Sequence, residues 1–185
     1  TASGNPQELI TTLPESARFK TGKRGRWLAN PDTPEGYAYY KAAVDSWMDA
    51  YPQITTLVLW VRLNDTVCVE IKENEFPAAW RREYAKFLAE HPAAAKEPRM
   101  PGLFAYSKVV RAAARALEER GSKAKTAVGS WCFKFMPSFD MLLPEGTALI
   151  YLDYNSLYGK PELTDAKVAA KTAEISARRP VIPVI

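Results

Sequence analysis

Cysteine and histidine are nearly missing from this chain, which has two of the first, Cys68 and Cys132, and one of the second, His91. With no CxxC pair and a single imidazole, a zinc site has little to be built from. Both cysteines sit in or beside apolar, strand-like runs, where a buried free thiol is the ordinary state. Long apolar runs are missing too: nothing approaches the roughly 20 residues of a transmembrane helix, so no membrane partner is expected. Neither GxGxxG nor GxxxxGK[ST] occurs, which argues against dinucleotide and P-loop nucleotide binding. The opening TASGNPQ has no initiator methionine and no signal-peptide core. Processing or trimming of an upstream segment is the expectation, and it leaves localisation open.

What is present suits one globular domain. The chain has 185 residues, 47% of them hydrophobic, enough for a single sizeable core. The net charge is +4, and much of the excess lies in Lys20, Lys23, Arg24 and Arg26. Residues 1–34 therefore read as an irregular basic segment anchored by Trp27, followed by a folded unit over 35–185. A basic arm can contact a polyanion, with an affinity that falls steeply with salt. No basic helix or stripe continues it, so nucleic acid is not the expected partner.

The central stretch is ITTLVLWVRLND, residues 54–65. Its apolar run Leu57–Val61 has no polar face, as expected of a strand covered on both sides by helices. Before it, Pro34 and Glu35 open a helix with Tyr37, Tyr40, Val44, Trp47 and Tyr51 on one face. Pro52 ends that helix. A second helix is expected over 78–90, with Trp80, Tyr84, Phe87 and Leu88 as its stripe, and His91 fits its C-terminal end because cations suit that end of the dipole. The strongest pattern starts at Pro101. Leu103, Tyr106, Val110, Ala113, Ala114 and Leu117 line one side, Lys108, Arg111, Arg115, Glu118 and Glu119 face water, and Gly121 supplies the stop.

Two more strands follow, AVGSWCFKF and TALIYLDYN. Gly129 marks a bulge or a close approach in the first of them. Only about a dozen residues separate the two, close to the minimum for a parallel crossover. A helix over 164–178 with Thr164 as its cap precedes a last strand, VIPVI. A buried strand with nothing after it suggests a longer protein.

This order implies an α/β fold, a parallel sheet with βα repeats. A (β/α)8 barrel takes about 250 residues, so this chain would make half to two-thirds of one; a self-contained open sheet is the alternative. In such folds chemistry sits at the carboxyl ends of the strands. Those ends carry Arg62, Asn64 and Asp65, then Trp131 and Lys134, then Asp153 and Tyr154. Aromatic faces cover the C–H faces of sugar rings, and the polar groups suit hydroxyls or, through Arg62 and Lys134, an acidic substituent. Asp65 and Asp153 are the one strand-end carboxylate pair available for glycoside hydrolysis.

YYKAAVDSWMDAYPQITTLVLWVRLND, YSKVVRAAARALEERG and AVGSWCFKF with LLPEGTALIYLDYN resemble the central part of the catalytic (β/α)8 domain of large polysaccharide-degrading glycoside hydrolases. The broad group is that of the α-glucuronidases and the β-hexosaminidase-like barrels, and the likeness covers about residues 35–185. It implies a secreted or periplasmic enzyme without an organic cofactor, using strand-end carboxylates on a carbohydrate. The chain departs from the hexosaminidase-like pattern in lacking adjacent Asp-Glu at a strand end. A non-catalytic carbohydrate-binding module would suit that departure. An incomplete barrel would also tend to self-associate through its open edges.

Overall fold

In the computed structural model, which describes residues 6–21, 25–61, 71–131, 133–153, 156 and 158–184, the N-terminal part is not the irregular segment expected. It holds a short helix, α1 (Pro6–Thr11), and an antiparallel hairpin of β1 (Arg18–Thr21) and β2 (Arg26–Ala29). Gln7 fixes the two together, its side chain donating to the Trp27 carbonyl and accepting from the Trp27 N–H. Arg18 and Lys20 lie over the Trp27 ring at 4.5 and 5.3 Å. Four-residue strands with alternating charges leave little periodicity to detect, and so the hairpin was not legible.

Helix α2 (Pro34–Ala50) starts where Thr33 accepts from the Gly36 N–H at 3.1 Å, with Pro34 at the first helical position. Its fully buried positions are Gly36, Val44 and Met48. Trp47 and Tyr51, expected on the inner stripe, are 42% and 44% exposed and stack on each other. Strand β3 (Thr56–Val61) follows, then α3 (Ala78–Glu90), closed by His91, and α4 (Met100–Glu119). The end of α4 is a Schellman turn: Gly121 has φ +67°, and the Ser122 N–H reaches the Leu117 carbonyl at 2.9 Å. Lys108 corrects the water-facing assignment. Its side chain is 10% exposed, bonded to Asp32 and Glu83 at 2.6 Å each, and lies over the Trp80 ring.

Strand β4 (Lys125–Ser130), α5 (Met136–Leu142), β5 (Ala148–Leu152), α6 (Ala166–Ser176) and β6 (Val181–Val184) complete the order. The cap of α6 is Asp165, not Thr164; its carboxylate accepts from the N–H groups of Lys167 and Val168. The four main strands lie side by side as β3-β4-β5-β6, every pair parallel. Short as it is, the link from β4 to β5 holds the two turns of α5, enough for a parallel crossover. The link from Val61 to Lys125 is far longer and carries α3 and α4.

Helices α2 to α6 pack on one face of this sheet. Leu59, Val61, Val128, Leu149, Tyr151 and Val181 share that face by register, and they meet Trp80, Leu103, Val110, Phe139 and Ile175 in the main core. The other face carries Val58, Trp60, Ala127, Gly129, Ile150, Ile182 and Val184. Among the described residues no helix covers it, and Val58, Trp60, Ile182 and Val184 are 37–47% exposed. The expected two-sided covering of the first strand is thus one-sided, since its even-numbered side chains point away from the helices. At the opposite end of the strands Arg179, 9% exposed, ties α5 to the turn before β5. It bonds the Asp140 carboxylate at 2.9 Å and the carbonyls of Asp140, Leu143, Pro144 and Thr147.

Candidate functional site

The carboxyl ends of β3, β4 and β5 come together because the strands are parallel and in register, Val61 beside Ser130 and Ser130 beside Tyr151. On the open face, Trp60 lies flat across Gly129, where any Cβ would fall inside the indole ring. The glycine is the close approach that its position in the strand suggested. Just past the end of β4, Trp131 meets Trp60 edge to face, with centroids 6.0 Å apart and planes at 85°. Trp60 is 37% exposed and Trp131 half-buried, so the pair forms an aromatic surface reachable from solvent.

The helix-covered side of the same strand ends is polar but enclosed. Ser130, Tyr151 and Asp153 all have no exposed surface. Asp153 continues the ladder, its N–H donating to the Val184 carbonyl at 2.8 Å. Burial pushes the Tyr151 phenol above its ordinary value; the Thr172 hydroxyl pulls it down, and the carboxylates of Asp153 and Glu162 raise it further. Those two acids therefore act on one phenol. Asp153 follows Leu149 and Tyr151 in alternation, so it belongs to the helix side and not to the side of the tryptophans.

Beyond β4, a single 3-10 turn (Phe133–Phe135) buries both phenylalanines and leaves Lys134 exposed. The loop between β5 and α6 reaches across to this turn, and the Glu162 carboxylate accepts from the Phe133 N–H at 2.8 Å. Between turn and loop is an open hollow of about 410 Å³, lined by Lys134, Lys160, Glu162 and Asp165 with Phe133 and Val168. A roomier groove, about 670 Å³, lies between α1 and α2 and is mostly apolar, with Leu9, Leu13, Tyr39 and Trp47 in its walls. Its titratable lining groups are Glu35 and Tyr39.

Of the residues predicted from sequence, Trp131 follows the end of β4, Lys134 lies in the turn beyond it, and Asp153 is enclosed on the helix side. Arg62, Asn64, Asp65 and Tyr154 lie outside the described residues, as do both cysteines. Glu162, Lys160 and Asp165 were missed. Only Asp165 had a local signal, as a capping residue one position after Thr164; Glu162 and Lys160 lie in a Gly-Pro loop where no periodicity marks a side chain. Among the described residues no group of three His, Cys, Asp or Glu side chains is placed to hold a metal ion. No protein-family model matches the chain, and no curated protein or solved structure is significantly similar to it.

Proposed function

We propose that the sheet is a segment of a (β/α)8 barrel of the glycoside hydrolase type, and that its strand-end face binds an acidic or neutral oligosaccharide. Two features of the fold support the barrel. Strands that follow chain order, with α2 to α6 on one face, are singly wound; a doubly wound sheet reverses its order and carries helices on both sides. The uncovered face is small and apolar, with Val58, Ala127, Ile150 and Ile182, as the interior layers of a barrel are.

The observation that carries the saccharide reading is the Trp60–Trp131 pair at the carboxyl end of that inner face. Two indoles at right angles offer one flat face and one edge, which suits the C–H face of a pyranose and its neighbour. Titration of tryptophan fluorescence with xylo-, cello-, manno- and chito-oligosaccharides, and with glucuronate-substituted xylo-oligosaccharides, tests it. Trp131→Ala should weaken the best ligand five- to thirtyfold, about 1–2 kcal/mol. Equal affinity in the variant would remove the basis of the proposal.

A non-catalytic carbohydrate-binding role is the second reading, favoured by the enclosure of Asp153, which has no exposed surface. The two separate on turnover. If Asp153→Asn abolishes hydrolysis of the bound oligosaccharide, the enzyme reading stands; a wild-type chain that binds without turnover has the second role.

A further inference from the structure

Resting on the saccharide-binding reading, we infer that the hollow between the turn after β4 and the loop before α6 is a polar subsite for sugar hydroxyls, with Lys134 and Lys160 as donors and Glu162 as acceptor. Two ammoniums and two carboxylates line this hollow of about 410 Å³. Three charge pairs elsewhere on the surface, Lys41–Asp45, Arg115–Glu119 and Lys171–Glu174, are closed into ion pairs. Among the described residues neither Lys134 nor Lys160 is bonded to an acid. The acids accept from backbone donors: Glu162 from the Phe133 N–H, and Asp165 from the N–H groups of Lys167 and Val168.

Fixed carboxylates and uncommitted ammoniums around a sugar-sized space match a polyol better than a lone ion. Each hydroxyl both donates and accepts, so a ring can bridge an acid and an amine that do not reach each other. A volume in the ordinary range of ligand pockets accommodates a pyranose. Lys134, in the wall of the hollow, lies three residues along the chain from Trp131. Glu162 has a second effect, because its bond to Phe133 holds the turn that carries Lys134.

The test uses the full chain and the same oligosaccharide panel, read by calorimetry. Lys134→Ala/Lys160→Ala should weaken the best ligand at least tenfold with an unchanged melting temperature. Glu162→Gln keeps an acceptor for the Phe133 N–H but loses the charge; it should keep the melting temperature and weaken binding three- to tenfold, whereas Glu162→Ala should lower both. Unchanged affinity in the double lysine variant, with Trp131→Ala still damaging, overturns the subsite and leaves the aromatic surface standing. Absence of binding by the wild-type chain to every member of the panel overturns both.

Discussion

Gly129 and Trp60 offer a sharp test of the sheet's open face. Gly129→Ala places a methyl group where the indole of Trp60 now lies. Either the strands shift, an overpacking cost of about 1–3 kcal/mol, or the indole swings into solvent. Trp60 is 37% exposed, so swinging out forfeits only the covered part of its area, about 2–4 kcal/mol for a tryptophan at about 25 cal/mol per Å². The cheaper route sets the loss, and Gly129→Ala should therefore destabilise by about 1–3 kcal/mol. In a Trp60→Ala background the clash is gone, and alanine should then beat glycine in a strand by about 0.5–1 kcal/mol. The sign of the substitution thus reverses with its neighbour. Urea unfolding of the four proteins of this cycle, with unchanged m-values, measures it. Additivity within about 0.5 kcal/mol would mean that Trp60 does not lie on β4, and the aromatic surface would then need another account.

Arg179→Met should cost about 1–3 kcal/mol, since it leaves four carbonyls without their donor while the Asp140 carboxylate keeps Arg178; a loss under about 0.5 kcal/mol in urea would show that the carbonyls find water instead. Lys108→Met should change stability by less than about 1 kcal/mol because Asp32 and Glu83 keep 40% and 54% exposure and rehydrate, whereas Lys108→Ala should cost more through its packed stem. Equal losses in the two would assign the effect to charge. Tyr84, 3% exposed, is pushed up to about 12 by burial first and by the Glu73 charge second. A raised folded-state value means stability that is whole below pH 10 and is lost as pH climbs from 10 through 12. Relative to Tyr84→Phe, the wild type should lose on the order of 2 kcal/mol over that window; parallel curves would contradict it.

Much of the backbone was legible because its signals were local. Thr33-Pro34 announces α2, Gly121 ends α4, and the apolar runs at 57–61, 149–152 and 181–184 are short enough, and bounded closely enough, to read as strands. What covers a strand is a different matter. Leu57–Val61 spells the same apolar run whether helices cover both faces or one, and only the register shows that Val58 and Trp60 point away from the helices. Lys108 fell on the polar side of a helical wheel, yet its ammonium lies over the Trp80 ring and bonds Asp32 and Glu83, contacts between elements that no single-helix pattern contains. At the site, Trp131 and Lys134 were legible as strand-end residues. Glu162 was not, because its role is a bond across 29 residues to a backbone N–H.

The unequal lengths of the three crossovers set an order of assembly. Closing the loop from Val61 to Lys125 costs about 1 kcal/mol more chain entropy than closing the one from Ser130 to Ala148. Strands β4, β5 and β6 with α5 and α6 can thus form a nucleus of local contacts, and β3 docks on it afterwards. Substitutions at Leu149 should slow folding, while those at Val61 should mainly speed unfolding. Trp60 rides on that last strand, so the aromatic surface comes into being only when the sheet is otherwise complete. The groove that Gly129 leaves in β4 is then a preformed seat waiting for the indole.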